Sequence, residues 1–320
     1  MAHPIWKDFY FYLGIHSQEK EKFRIVLNGS VIYEGEAHRK PGASDIPTRI
    51  NDICADYLKF DFPQVSDAFT PEGVVSFQIQ VWDGETWEIQ GQIPFYADWS
   101  YDYDFDPQRS PLNCPINGKI SLLTPLPFSA IKAEELEIET DSNEVIYYYP
   151  TAEVAGTYMV NLAHFNVGNK LYVREFATNI VEYKIVDTCS KYALYYRNAY
   201  GGVDVFLIEG NHSETDNLTR HTRSVEYDNR SVSNRGRLNY VNEITKSLTL
   251  HTSWLSDDES SRMHHLLNST DVYLFDLESQ QMIPVLLKNT ISEYKTYKGN
   301  GAKLVNYTIE VEFANQRIRK

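Results

Sequence analysis

Short alternating runs of aromatic and β-branched residues, broken by Asn-Gly and Asp-Gly pairs, constrain this chain more than any other feature. Phe23-Arg24-Ile25-Val26-Leu27 is followed by Asn28-Gly29 and then by Val31-Ile32-Tyr33. Both turn residues accept positive φ, and such a pair between alternating runs is a strong hairpin signal. Val74–Trp82, Asp83-Gly84 and residues 87–93 repeat the arrangement, and residues 116–120 offer a third turn at Asn117-Gly118. Alternating side chains line opposite faces of a pleated strand, where flat rings pack well. Aromatic residues make up 13% of the chain, so these runs recur from end to end. Such a chain folds mainly as β, in two or three sandwich-like or barrel-like domains with a few short helices.

Further strands are expected at 9–13, 136–139, 145–149, 158–165, 171–185, 192–197, 203–208, 272–277, 283–287 and 304–313. Two helices interrupt them. The first spans 46–58: Ser44 or Asp45 caps it, Pro47 is tolerated in its first turn, and Ile46, Ile50, Ile53, Cys54, Tyr57 and Leu58 share one face. The second spans 257–268. Ser256 and Glu259 form a capping box at its start, and Met263, Leu266 and Leu267 supply a buried side.

A length of 320 residues calls for two or three domains. The net charge of −14 is unevenly spread: residues 1–186 carry −13 and residues 187–320 carry −1. The expected units are an acidic domain over 1–125, a small β domain over 126–186 or a continuation of the first, and a nearly neutral domain over 187–320. The acidic part repels phosphates, which argues against direct nucleic-acid recognition. No run approaches the ~18 apolar residues of a membrane span, and the start lacks the basic and then apolar regions of a signal peptide. Cys54, Cys114 and Cys189 are too few and too far apart for a disulfide framework or a metal-type pair. Buried free thiols are expected instead.

No nucleophile elbow, P-loop, dinucleotide turn or zinc-protease motif occurs, so neither enzymatic activity nor a cofactor is expected. His264 and His265 are adjacent on a helix, so their side chains diverge by ~100° and cannot share a metal. Asp102, Asp104 and Asp106 are weak candidates for a cation. Pro107 stands where a Ca²⁺ loop needs its turn glycine, and Asn113 stands where it needs glutamate. Trp82, Trp87 and Trp99 are candidates for glycan stacking, although aromatic strands in a core give the same composition. Residues 210–237 are almost free of aliphatic side chains and hold Arg220, Arg223, Arg230, Arg235 and Arg237. Residues 222–228 alternate, so a long polar hairpin is expected. Its arginines are candidates for a subunit interface, because Arg suits interface carboxylates.

Several stretches carry a resemblance. They are Ile5-Trp6-Lys7-Asp8-Phe9-Tyr10, Ile50-Asn51-Asp52-Ile53-Cys54-Ala55-Asp56-Tyr57-Leu58 and Ala193-Leu194-Tyr195-Tyr196-Arg197-Asn198-Ala199-Tyr200-Gly201-Gly202. Leu266-Leu267-Asn268-Ser269-Thr270-Asp271-Val272-Tyr273-Leu274 and Asn306-Tyr307-Thr308-Ile309-Glu310-Val311-Glu312 complete the set. In these the chain resembles structural-module proteins of tailed phages and prophages of gut Bacteroidetes. The order of residues 187–320 is similar to distal-tail and tail-tube proteins: strands, an outward arm, a capped helix, closing strands. The resemblance implies a virion protein made in the host cytoplasm, with a sandwich domain that associates into a ring, commonly sixfold, and docks other tail proteins. It implies no catalytic residue. A head-to-tail connector, a capsid decoration protein and a carbohydrate-binding receptor protein stay open as alternatives.

Overall fold

A computed structural model describes residues 3–4, 10–13, 20–38, 46–55, 57–58, 70–71, 74–96, 114–130, 136–141, 145–148, 156–175, 178–187, 189–224, 237–288, 305–314 and 317–319. Among them the protein is mainly β, with five sheets and two helices.

The first hairpin joins Lys20–Leu27 to Ser30–His38 through Asn28 and Gly29, whose φ angles are 49° and 80°. Two successive positive φ values match the right-handed twist of the flanking strands. Val74–Trp82 and Trp87–Tyr96 form the second hairpin. There the Asp83 carboxylate accepts the N–H groups of Glu85 and Thr86 at 2.7 and 2.6 Å, so it builds the turn together with Gly84. These strands and His3–Pro4 make a five-stranded sheet. Its inner face buries Phe23, Ile25, Phe77, Ile79 and Val81 against Leu13, Ile46, Ile50 and Cys54.

The helix expected over 46–58 forms only at Asn51–Ala55. Ile46–Arg49 is instead a strand, antiparallel to Tyr10–Leu13. Ile46, Ile50 and Cys54 are buried as their spacing requires. The partner strand, however, satisfies backbone groups that a first helical turn leaves open. Pro47, exposed in this two-stranded ribbon, costs the ladder little.

Two further sheets draw mainly on the middle of the chain. One contains Val145–Tyr148, Leu136–Thr140, Lys170–Glu175, Thr178–Ile185 and Gly118–Ile120; the other contains Leu126–Ala130, Gly156–Val160 and Thr70–Pro71. Gly118 is therefore not a hairpin turn, since it starts a strand parallel to Thr178–Ile185. A Cβ there would stand 2.7 Å from Arg262 Nη1, so this glycine serves a close approach.

The fifth sheet has eight strands. Val203–Leu207, Tyr192–Arg197, Val272–Asp276, Gln281–Leu287, Thr308–Phe313, Arg237–His251 and His212–Ser224 follow one another across it, and Arg317–Arg319 pairs with Arg237–His251. Tyr192–Arg197 and Val203–Leu207 are buried at every position, because both faces are covered. Ala193, Tyr195, Val203, Val205 and Phe275 join a core with Ile120, Phe128, Ile138, Val173 and Tyr183. Leu194, Tyr196, Phe206 and Leu274 point the other way, toward Leu255, Met263, Leu266 and Tyr307. The boundary expected between 186 and 187 thus falls inside a shared core. Net charge reports the residues facing water, whereas packing follows those facing inward.

Candidate functional site

A long hairpin is present, but the segment 210–237 supplies only its outgoing strand, and the returning strand begins where that segment ends. Its outgoing strand, His212–Ser224, is exposed at nearly every position, and its returning strand is Arg237–His251. Thr215, Thr219, Thr222, Thr245 and Thr249 give these polar strands the β-branched side chains that favour an extended backbone. Thr308–Phe313 pairs with the returning strand only at 247–251. Arg317–Arg319 pairs with it at 242–244, opposite residues 218–220, so residues 221–224 run beyond both supports, roughly 13 Å of strand at ~3.3 Å per residue. Among the described residues the outer edge of the outgoing strand has no partner strand. A bulge between His221 and Thr222 bends the arm toward its far end.

The arm continues the sheet's alternation outward. Leu248 and Leu250 are in the core, while Leu218 and Ile244, opposite each other further along, share that face. Leu218 is 53% exposed and Tyr240 is 52% exposed. Arg220 stands opposite Asn242, Arg223 opposite Leu238, and Arg237 opposite Ser224, all three exposed. Arg230 and Arg235 lie outside the described residues. The arm is mixed in charge, since Asp216 faces Lys246 and the His221 ring lies 3.4 Å from Glu243.

The foot of the arm is pinned. A Cβ on Gly210 would overlap the backbone carbonyl of His251, so only glycine lets the two strands meet there. Tyr192 donates to Glu214 at 3.3 Å and meets the His212 ring edge-on at 5.0 Å. Lys119 bridges Glu209 and Glu259 at 3.1 and 2.9 Å, and Ser253 Oγ donates to Glu209 at 2.8 Å. Beneath this lies a buried ion pair. Arg262, on the capped helix Asp257–Leu267, reaches Asp204 at 3.3 Å, Tyr183 Oη at 2.5 Å and the Ile116 carbonyl at 2.8 Å. Asp204 also accepts from Asn198 Nδ2 at 2.6 Å and the Cys114 N–H at 3.1 Å. Burial pushes the Tyr183 phenol up, so it stays protonated. The capping box is in place, with Ser256 Oγ accepting the Glu259 N–H and Glu259 accepting the Ser256 N–H. Sequence alone exposed none of this cluster except the cap.

Trp254 was also missed. It is 62% exposed, between the returning arm strand and the capped helix. The available signal was a tryptophan in the polar break Thr252-Ser253-Trp254, just before the cap. Of the tryptophans singled out in the sequence, Trp82 and Trp87 are brought together, their ring centroids 5.4 Å apart. Trp99 lies outside the described residues, as do Asp102, Asp104 and Asp106. His264 is exposed, while His265 is half-buried and stacks on Tyr200 at 5.7 Å. Cys54 and Cys114 are buried and Cys189 is exposed, all three as free thiols; the expectation of burial therefore fails at Cys189. Burial pushes the Cys54 thiol up to about 12. The sequence matches no protein-family model, and no curated protein matches it.

Proposed function

We propose that this chain is a self-assembling structural protein of a tailed-phage virion, a ring-forming component of the tail or baseplate. The observation that carries this reading is the arm. It projects beyond its two supporting strands, presents an edge with no partner strand among the described residues, and carries exposed Leu218, Tyr240, Arg220, Arg223 and Arg237. A long free edge is a template for pairing with another chain. Residues 1–186, at −13, offer a complementary surface for the arginines of a neighbouring copy. Head-to-tail contacts of this kind close into a ring when the rotation between copies allows it. The resemblance to distal-tail and tail-tube proteins supplies the virion setting, the sixfold expectation and the other tail proteins as partners.

Native mass spectrometry and electron microscopy of the purified chain test the proposal. The expected result is a closed ring of one size. Replacing Arg220, Arg223 and Arg237 together by Glu is expected to leave the circular dichroism spectrum unchanged, because the arm adds little to any core. Ring assembly should weaken by roughly tenfold or more, as complementary contacts become repulsive. A monomer at every concentration, or rings unaffected by the triple change, would overturn it.

A further inference from the structure

We infer that the outer face of the five-stranded N-terminal sheet is a binding site for a neutral oligosaccharide, with Trp82 and Trp87 as its stacking platform. This inference is independent of ring assembly and rests on a different surface.

Phe77, Ile79 and Val81 point into the core; Gln78, Gln80 and Trp82, the alternate residues of the same strand, therefore face outward. Trp82 is directly opposite Trp87, and Gln80 is directly opposite Arg24. Arg24 in turn stands opposite Glu34 on the edge strand. Directly opposed residues share a face. One surface therefore presents two indoles beside a row formed by Gln80, Arg24 and Glu34.

The groups are held in place. The two indoles are tilted by 59° to each other, and the Arg24 guanidinium lies 4.4 Å from the Trp87 ring centre. Arg24 Nε donates to Gln80 Oε1 at 2.6 Å, and Gln80 Nε2 donates to Gln78 Oε1 at 2.6 Å. Each bond fixes a side chain and leaves donors over. Among the described residues the Arg24 Nη groups and Gln78 Nε2 are available to hydroxyl and ring oxygens, and the exposed Glu34 carboxylate accepts from hydroxyls.

This combination selects the ligand class. A pyranose has a C–H face for indoles and hydroxyls that both donate and accept. Nucleic acid also stacks on aromatic rings, but this face pairs its charges, Lys20 with Glu36 at 2.8 Å and Arg24 opposite Glu34, and so lacks the cluster of uncompensated cations that phosphates need. An acidic glycan would need the same cations. A neutral chain needs none, so its binding should be insensitive to salt.

A printed array of neutral and acidic glycans, probed with the full-length protein, identifies the ligand; titration calorimetry with the strongest neutral hit then measures it. Trp82→Ala, Trp87→Ala and Arg24→Gln are each expected to weaken binding by roughly tenfold or more, while thermal unfolding shifts little because these groups face water. Trp254→Ala, which removes an exposed indole elsewhere, should leave binding unchanged. Absence of any neutral hit, binding confined to acidic glycans and lost in salt, or equal affinity in the Trp82→Ala and Trp87→Ala proteins would overturn the inference.

Discussion

Arg262 carries a full charge where almost no water reaches, so its partners decide whether that charge stabilises. Burial works against the guanidinium, but the Asp204 carboxylate and the hydrogen bond accepted by the neutral Tyr183 hydroxyl outweigh it and hold Arg262 protonated. Arg262→Met leaves Asp204 buried without its cation, which is expected to lower the urea-unfolding free energy by about 3–5 kcal/mol. Adding Asp204→Leu should recover only part of the loss, because Asn198 Nδ2 and the Cys114 N–H then lose their acceptor. A loss below about 1 kcal/mol, the range of an exposed pair, would show that the clasp is dispensable. The sequence does not announce this pair. Its spacing marks Met263 and Leu266 as buried, and an arginine beside them reads as solvent-facing. The partners Asp204 and Tyr183 stand 58 and 79 residues away, beyond any local pattern.

Among the elements, the capped helix Asp257–Leu267 was legible because its signals are local: Ser256 and Glu259 are three residues apart, and both bonds of the box form. The hairpin at Asn28-Gly29 was legible for the same reason. The strand Ile46–Arg49 was not, since its conformation depends on pairing with Tyr10–Leu13. Acid should release the capped helix in two steps. Burial, with His264 and Arg262 adding to it and Asp204 opposing, holds the His265 imidazole below its ordinary value of 6.5. The unfolded chain therefore takes up this proton first, and stability falls as pH drops below 6.5 toward the folded value. Burial pushes Glu259 up, but the Ser256 hydrogen bonds and Lys119 outweigh it and hold its carboxyl below 4.5. Its contribution is present above 4.5 and lost as pH falls through the folded value. The urea midpoint measured against pH should show both declines. His265→Gln is expected to abolish the upper one and Glu259→Gln to shrink the lower one, which Glu36, held below 4.5 by its hydrogen bond to Lys20, shares; a decline below pH 6.5 that persists in His265→Gln would assign it elsewhere.

For the whole molecule, the hydrophobic cores do not follow the charge step at Asp187. Tyr195, Val205 and Phe275 pack against Ile138, Val173 and Tyr183, so the strands on either side of residue 187 bury one another. Arg262 adds a polar tie across the same junction, through Tyr183 and the Ile116 carbonyl. A fragment of residues 187–320 would expose the whole of that apolar face, far more than a stable monomer tolerates. A fragment of residues 114–320 keeps both faces of the eight-stranded sheet covered, and among the described residues the one strand pairing it loses is that of Thr70–Pro71 with Gly156–Val160. The longer fragment is expected to unfold in a single cooperative transition by calorimetry. The shorter one should aggregate, or bind a hydrophobic dye without a transition. A cooperative, monomeric 187–320 fragment would instead return the boundary to the charge step, and the core shared across residue 187 would be an interface between two domains that fold separately.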